Sequence, residues 1–353
     1  MQPLPSSQSS DDKASPSPAD APTNTPAKKA RFSYRLLGFL SWFYLIAMLA
    51  LWLFLHFAGD RWWIATLVLF GPLWVFALPL GILLPLALFM RRRSLPVLLL
   101  GGLIVVLPIM DFCIPWRPFV SKSPAGTPLR VLTCNTHYRL LNPKALADLI
   151  DATHPDVIAL QEWPSHNAKP VFGDAAWYTI KDGEFCLASK FPIRKFAEVI
   201  SEPGWLSAVC FEIQMPTGGP IYFINVHLAS PHPAFQSALS REARGRDEVH
   251  RDSQRRLEGA QAVQRYAASL NGPVILAGDF NLPINSSVYR DHLSRYTDAF
   301  ATAGLGFGWT YHARWTDTRI DHILADTNWH CVKCWVGPDV GSPHKPVIAD
   351  LQR

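Results

Sequence analysis

Apolar and polar residues divide this chain of 353 residues into three parts. The N-terminal part is mainly Ser, Pro, Asp, Ala and Thr, with almost no large apolar side chain. Such a segment cannot bury enough surface to offset the entropy lost on ordering, so we expect residues 1–30 to be a disordered cytoplasmic tail. Long uncharged runs follow, and from about residue 129 short apolar runs end on polar residues.

Two of the uncharged runs are long enough to cross a bilayer as helices. Residues 36–58 form a run of 23 and residues 62–90 a run of 29, whereas about 20 apolar residues suffice. A third run of 16 residues, 95–110, precedes Asp111 and extends toward Trp116. We predict a membrane region at 34–116 with three helices, near 36–58, 62–90 and 94–114. For the third run, a soluble or interfacial helix is the alternative.

Basic residues flank these runs unevenly. Four of them (Lys28, Lys29, Arg31 and Arg35) precede the first run and three (Arg91, Arg92 and Arg93) follow the second, but only Arg61 lies between the two. Cytoplasmic loops carry the excess of Lys and Arg, so the tail and the triple-arginine loop should face the cytoplasm. Three crossings then place the C-terminal domain outside. The predicted location is the inner (cytoplasmic) membrane of a bacterium, with this domain periplasmic or otherwise extracytoplasmic.

The positive charge belongs mainly to the membrane part. The whole chain carries +5, but from Arg117 onward 24 Lys and Arg residues face 23 Asp and Glu residues. A domain that grips nucleic acid normally has a clear positive excess. One basic stretch, REARGRDEVHRDSQRR at 241–256, is interrupted by acidic residues, and we interpret it as the solvated start of a helix. Nucleic acid is therefore possible but less favoured as a partner.

Short strands and helices alternate after a Pro-, Ser- and Gly-containing linker at 117–128. Asn142 and Pro143 are a start signal for a helix that buries Leu146, Leu149 and Ile150. Three later runs, FCLASKFPI, LSAVCFEIQ and IYFINVH, indicate an antiparallel meander. The CVKC stretch at 331–334 lacks a second cysteine pair at zinc-site spacing, so we assign it a structural role, with its two cysteines on opposite faces of a strand.

Several predicted buried strands end on residue types that are able to bind metal or phosphate. VILAGDFNLP, residues 274–283, stops at Gly278 and presents Asp279 and Asn281. Any one such ending is explained by an ordinary turn. Its repetition favours a shared cleft at one sheet edge. The further members of the pattern are Asn135 after RVLTC, Glu162 after VIALQ, His227 after IYFINV, Asp321 in RIDHILAD and His344 in GSPHKPVIADL.

Six short motifs occur in the order and spacing typical of one family. They are TCNTH (133–137), LQEW (160–163), NVHL (225–228), GDFN (278–281), RIDHIL (319–324) and SPHKPV (342–347). From residue 129 to the C-terminus the chain resembles the endonuclease/exonuclease/phosphatase superfamily. The resemblance implies an α/β fold, a four-layer sandwich of two mixed β-sheets flanked by helices, here preceded by N-terminal transmembrane helices. It also implies a catalytic domain at 129–353, a divalent metal, Mg²⁺ or Mn²⁺, and hydrolysis of a phosphoester bond.

The resemblance assigns roles to the matched residues. Glu162 corresponds to the metal carboxylate and Asn135 to the amide beside it, which touches metal or phosphate. Asp279 and Asn281 correspond to the pair that positions the attacking water and the phosphoryl group. The remaining matches are His344 with its orienting carboxylate Asp321, and His227, which faces a phosphate oxygen and protonates the leaving group.

Pro343 is a departure from the family pattern, because many relatives have an aspartate before the histidine that matches His344. A carboxylate that contacts metal in some members is thus missing, which argues against a two-metal scheme and leaves a one-metal scheme with Glu162. His137 stands where some nucleases have an aspartate, and we assign it no role. His312 and His322 are interpreted as surface or structural residues.

The predicted function is a membrane-anchored, metal-dependent phosphoric ester hydrolase. Confinement to the bilayer raises the effective concentration of the site toward membrane-bound substrates, which favours a lipid-linked or extracytoplasmic phosphoester or pyrophosphate. One alternative keeps the chemistry but acts on DNA or RNA. Another is a non-catalytic binding module on the same fold, suggested by Pro343.

Overall fold

The computed structural model describes residues 25–115, 126–138, 140–164, 171–172, 177–201, 204–231, 245–313 and 316–353. The helices are α1 (Thr25–Ala58), α2 (Trp63–Leu69), α3 (Leu78–Met90), α4 (Leu95–Ile104), α5 (Pro143–Thr153), α6 (Gly245–Ser269), α7 (Ser287–His292) and α8 (Ala299–Ala303). Short 3₁₀ helices span Gly59–Arg61, Leu73–Ala77 and Arg92–Ser94, and a π-helix spans Val105–Ile109.

The strands are β1 (Pro128–Asn135), β2 (Val157–Gln161), β3 (Tyr178–Asp182), β4 (Phe185–Ser189), β5 (Ile193–Ser201), β6 (Trp205–Ile213), β7 (Ile221–His227), β8 (Val274–Asp279), β9 (Thr297–Asp298), β10 (Tyr311–His312), β11 (Asp317–Thr318), β12 (Asp321–Ala325), β13 (His330–Val336) and β14 (Val347–Gln352). The first sheet has the order β13-β14-β1-β2-β4-β3, and the second has the order β5-β6-β7-β8-β12-β9. Each contains a parallel pair, β1 with β2 and β7 with β8.

Apolar side chains from both sheets fill the space between them, among them Val131 and Phe185 from the first sheet and Phe211, Phe223 and Ile275 from the second. Helix α5 covers the outer face of the first sheet and α6 that of the second. The predicted four-layer α/β sandwich of two mixed sheets flanked by helices is confirmed.

Helix α5 begins where the sequence indicates. The side-chain oxygen of Asn142 accepts hydrogen bonds from the backbone N–H groups of Lys144 and Ala145, which have no partner inside the helix. The predicted inward residues Leu146, Leu149 and Ile150 are all buried.

Two strand predictions were wrong. FCLASKFPI is not one strand of the meander, because β4 lies in the first sheet and the chain crosses at Phe191 and Pro192 to the second, where β5, β6 and β7 form the meander. The cysteines of CVKC do not point to opposite faces. A register shift between Cys331 and Lys333 adds a residue to β13, so Cys331 and Cys334 both pack toward the core.

Three apolar helical segments near the N-terminus are long enough to cross a membrane: Arg31–Arg61, Leu73–Met90 and Arg92–Ile109. Their outward side chains include Ile82, 67% exposed, and Phe89, 85% exposed. A soluble protein rarely presents such an apolar surface to water, whereas lipid would cover it. These helices are candidate membrane spans.

The helix boundaries in this region differ from those predicted. Helix α1 begins at Thr25, earlier than expected, and the rest of the predicted tail lies outside the described residues. The predicted helix 62–90 is interrupted at Gly71 and Pro72, because proline lacks the N–H donor that a continuous helix needs. The predicted helix 94–114 ends at Ile109, since Asp111 has a φ of 57° and Cys113 pairs with Gly306. Most of the linker, residues 117–125, lies outside the described residues.

The candidate spans dock on the sandwich at one end. Asp60, after α1, accepts a hydrogen bond from Ser286 and lies 3.8 Å from Arg256, and Asp111, after the π-helix, pairs with Arg319. Arg256 is fully buried, so the interpretation of 241–256 as a solvated stretch was wrong for this residue. Asp60 and Phe70, from the region of the candidate spans, cover Arg256, which the sequence of α6 does not reveal. At the opposite end of the helices, Arg91 donates to the carbonyl of Tyr34.

Candidate active site

The structure brings the predicted site residues to one edge of the sandwich. Parallel neighbours end on the same side of a sheet, and an antiparallel neighbour begins there. Strands β1, β2, β7 and β8 therefore end at this edge, and β12 begins there with Asp321 paired to Asp279. The residues gathered are Asn135, Glu162, His227, Asp279, Asn281, Asp321 and His344.

Asp279 lies at the centre of this group and is only 1% exposed. The Asn135 side-chain nitrogen lies 3.0 Å from Asp279 Oδ2 and 3.1 Å from Glu162 Oε1, donating to both. His344 Nε2 lies 3.7 Å and His227 Nε2 3.8 Å from the same Asp279 oxygen. Side chains from both sheets thus surround one carboxylate.

A hydrogen bond at Nδ1 fixes the ring of His344. Its Nδ1 lies 2.9 Å from Asp321 Oδ2, so Nε2 is left facing Asp279. The hydroxyl oxygen of Thr310 accepts from the backbone N–H of Asp321, and the ring of Tyr311 packs against that of His344 with centroids 4.9 Å apart. These contacts fix the orientation of the His344 ring.

His227 is held in the same manner by a residue that sequence reasoning missed. Its Nδ1 lies 2.8 Å from Glu184 Oε1, and Tyr138 donates its hydroxyl proton to the other Glu184 oxygen. Glu184 directly precedes β4, which is antiparallel to β2, so it starts at the edge where β2 ends. The sequence signal for Glu184 was the stretch DGE at 182–184, a turn before a buried strand. This signal identifies a site residue only if the pairing of that strand with β2 is known.

The backbone at the site adopts unusual conformations. Glu162 has a φ of 50° and Asn281 a φ of 49°, in the left-handed region that residues other than Gly seldom adopt. Gly278 has a φ of 147°, and a Cβ there would lie 2.0 Å from the Val226 carbonyl oxygen. Such strain persists where the surrounding structure imposes it and is concentrated at functional sites.

A buried polar network fixes the two sheets to each other beside the site. Gln161 Nε2 donates to Asn225 Oδ1 at 2.7 Å, and Asn225 donates to the carbonyls of Leu160 and Cys186. Gln161 precedes Glu162, and Asn225 lies two residues before His227. Side chains from different sheets are therefore held at a fixed separation.

The other histidines singled out in the sequence do not join this group. His322 is buried, and its ring nitrogens bond Asp298 and the Leu282 carbonyl, so it is structural as interpreted. His312 bonds Asp317. His137 is exposed, but its backbone N–H donates to Asn135 Oδ1 and orients that amide.

Electrostatics at the site favour protonated histidines. Burial lowers the pKa of His227, but the hydrogen bond to Glu184 and the charges of Asp279, Glu184 and Glu162 outweigh it and raise the pKa to about 9. Burial likewise lowers the pKa of His344, but Asp321 and Asp279 outweigh it and raise the pKa to about 9. Burial raises the pKa of Asp279, against the opposing charge of His344.

The donor set fits a divalent cation. The four carboxylates of Glu162, Glu184, Asp279 and Asp321 exceed the charge of two protonated histidines, and carboxylate and amide oxygens suit Mg²⁺. Asp279, Asp321 and His344 form the tightest cluster of candidate ligand atoms, within 4.8 Å of one another. A protonated His344 ring paired with Asp321 has no lone pair for a metal, however. Glu162 and Asn135, which lie beside Asp279, therefore suit the cation better than the cluster that includes His344.

These charges predict a pH effect on stability in the presence of chelator. The interactions of His227 and His344 stabilise the fold fully below their unfolded pKa of 6.5 and lose this effect as pH rises to about 9. We expect the Tm to fall over this range and Mg²⁺ to restore it most at high pH, because the cation replaces the lost positive charge. Differential scanning fluorimetry measures both effects, and an identical profile for His227→Gln and His344→Gln variants would contradict the assignment.

Comparison with known proteins identifies the fold. Residues 132–344 match the model of the Endonuclease/Exonuclease/phosphatase family. A family member from Bacteroides vulgatus is 18% identical with a TM-score of 0.50, covering 64% of this chain and 99% of that chain. The 3′ phosphatase NExo from Neisseria, bound to product DNA hairpin, is 14% identical with a TM-score of 0.50, covering 64% and 100%.

No curated protein sequence matches this chain significantly. The family match nevertheless covers more than half of the residues, includes all seven residues of the candidate site, and agrees with the two facing mixed sheets. The chain belongs to the endonuclease/exonuclease/phosphatase family, whose members are phosphoesterases.

Proposed function

We propose that this protein is a membrane-anchored, divalent-metal-dependent phosphoesterase that hydrolyses a phosphoester or pyrophosphate bond of a lipid-linked substrate. The observation that carries the proposal is the convergence on Asp279. Its carboxylate lies within 3.0–3.8 Å of three side chains from distant parts of the chain: Asn135 at the end of β1, His227 at the end of β7, and His344 before β14.

The side chains at this edge have the chemistry that attack on phosphorus requires. Asp279 orients a water molecule and accepts its proton. His344, kept protonated by Asp321, stabilises the negative charge that develops on the phosphoryl oxygens. His227, held by Glu184, gives a proton to the leaving group. Asn281 supports this arrangement by donating from its backbone N–H to Asp279 Oδ1 at 2.9 Å.

Glu162 and Asn135 would hold the metal ion. When bound, Mg²⁺ or Mn²⁺ neutralises phosphoryl oxygens and so lowers the barrier to attack. Glu162 is suited to this because its carboxylate is partly accessible, with a side-chain exposure of 19%, whereas that of Asp279 is 1% exposed. Pro343 removes one carboxylate, so a single metal is proposed.

The docking of the candidate spans supports the membrane location. The turn after α1 and the segment after the π-helix contact the domain, whereas Arg91 lies beside Tyr34 at the other end. The basic residues 91–93 therefore lie at the end away from the domain. By the excess of Lys and Arg in cytoplasmic loops, that end faces the cytoplasm and the active site faces the periplasm or the exterior. The membrane proposed is the inner membrane of a bacterium.

A substrate panel tests the activity. The full chain in detergent micelles should release product from a generic phosphodiester or from a prenyl pyrophosphate with Mg²⁺, and a chelator should abolish the release. Absence of turnover on every substrate would support the alternative of a non-catalytic binding module. Nicking of plasmid DNA without action on the lipid substrates would support the nuclease. Protease accessibility on intact cells tests the proposed side of the membrane.

A further inference from the structure

A groove lies outside the catalytic centre, between residues 303–312 and strand β13. Its volume is about 560 Å³, within the ~300–1,000 Å³ typical of ligand pockets. Its walls are mainly aromatic and aliphatic, with two lysines. The lining residues that matter here are Leu305, Phe307, Trp309, Trp335, Lys333 and Lys345.

One end of the groove lies where the last candidate span meets the domain. Cys113, four residues after the π-helix ends, exchanges backbone hydrogen bonds of 2.8 and 3.0 Å with Gly306. Phe112 packs edge-on against Phe307, with ring centroids 5.0 Å apart. Leu305 beside them is 71% exposed. An exposed leucine at the junction of the last candidate span and the domain suits a position at the bilayer interface.

The groove also reaches the residue that follows His344 in the chain. Lys345 lines the groove, directly follows His344, and donates its backbone N–H to the Thr310 carbonyl at 2.7 Å. Tyr311, in the same segment as Trp309, packs on the His344 ring. The segment 305–311 therefore connects the membrane contact with the site.

The aromatic wall of the groove suits an apolar chain. Phe307 and Trp309 stack in parallel with centroids 4.5 Å apart, and both line the groove. Trp335 lines it as well, with the Lys333 ammonium 4.8 Å from its ring. Apolar walls gain free energy by covering hydrocarbon, and the two lysines are complementary to a phosphate. A sugar phosphate has no apolar surface with which to cover this wall.

We propose that the groove holds the hydrocarbon chain of the substrate, so that Phe307 and Trp309 select lipid-linked phosphates over soluble ones. The chain runs from the bilayer at Phe112 along Phe307 and Trp309. Its phosphate end passes Lys345 to the centre at Asp279. This inference rests on the proposed function for the reaction itself, but the occupancy of the groove is tested separately below.

Substrate discrimination measures the role of the wall. Farnesyl pyrophosphate and dimethylallyl pyrophosphate share the reacting group and differ in chain length. For Trp309→Ala we expect the ratio of kcat/KM for the long over the short substrate to fall about tenfold, equivalent to ~1.4 kcal/mol of lost apolar contact. Leu305→Ser, which removes an exposed side chain, should lower the ratio about threefold. Trp205→Ala, an exposed tryptophan on β6, is the matched control and should leave the ratio unchanged. An unchanged ratio in Trp309→Ala and Leu305→Ser overturns the proposal.

Cross-linking tests the groove even if neither substrate is hydrolysed. Farnesyl phosphate with a diazirine at the end of its chain would be irradiated with the full chain in micelles. Cross-links in the peptide containing Leu305, Phe307 and Trp309, competed by unlabelled farnesyl phosphate, support the proposal. Cross-links confined to the outer faces of α1, α3 and α4 overturn it. Cross-linking at the groove without turnover would place the failure in the proposed reaction instead.

Discussion

Asp279→Asn should lower phosphoester hydrolysis by about 10³-fold or more, since proton transfer and charge stabilisation at this position contribute effects of about 10²–10⁴. The substitution keeps the shape of the side chain but removes the charge that Asn135, His227 and His344 surround. The measurement is the kcat for Mg²⁺-dependent turnover of a generic phosphodiester by the full chain.

The stability of the same variant separates a catalytic effect from misfolding. Burial raises the pKa of Asp279, so at neutral pH the folded state disfavours its charge, and a neutral isostere should leave the Tm unchanged or higher. Asp326→Asn makes the same chemical change at the far end of β12, where Asp326 accepts from the Val274 N–H, and should retain activity. Turnover of Asp279→Asn within about tenfold of the unmodified protein would remove Asp279 from the mechanism.

Arg319→Met should destabilise the protein by about 3–5 kcal/mol, because it leaves buried charges without their partner. Arg319 lies 3.1 Å from Asp298 and also pairs with Asp111, at the end of the candidate spans. Burial alone would raise the pKa of Asp298, but Arg319 and the His322 hydrogen bond lower it below its usual range. Removing Arg319 therefore leaves the buried carboxylate of Asp298 with hydrogen bonds only, as from His322, and loosens the candidate spans from the domain.

Thermal unfolding of the full chain in micelles measures this loss. Lys144→Met is the matched control, because its ion pair with Asp148 has side chains 82% and 62% exposed and such pairs contribute about 0–1 kcal/mol. A Tm decrease for Arg319→Met no larger than that of the control would contradict a structural role for the interface. Increased protease cleavage between residues 113 and 128 is expected if the docking weakens.

The local features of the fold were predictable because they depend on neighbours in sequence. The start of α5 at Asn142 and Pro143 follows from capping chemistry that involves only the next few residues. The lengths of the apolar runs near the N-terminus can be counted directly in the sequence. The strand endings at Asn135, His227 and Asp279 are likewise local, since each is a change from apolar to polar residues.

Features that depend on distant neighbours were missed or misplaced. Glu184 became a site residue only because β4 pairs antiparallel with β2. The basic face of α6 was expected to be solvated, yet Arg256 is buried because Asp60 and the ring of Phe70, from the region of the candidate spans, pack against it. The bulge in β13 places Cys331 and Cys334 on the same face, whereas opposite faces were expected. In each case the deciding partner is far away in sequence, so a pattern of neighbouring residues does not reveal it.

The sequence by itself determined which side chains are available for phosphoester chemistry, that they follow strands, and that apolar helices precede the domain. Those properties follow from residue type and short-range periodicity. The tertiary structure alone decided that the strand ends of two separate sheets share one edge, with Asp279 between His227 and His344. It also decided that the candidate spans contact the domain at Ser286 and Arg319. The separation of two side chains far apart in sequence depends on strand pairing and sheet packing, which are set by the whole core.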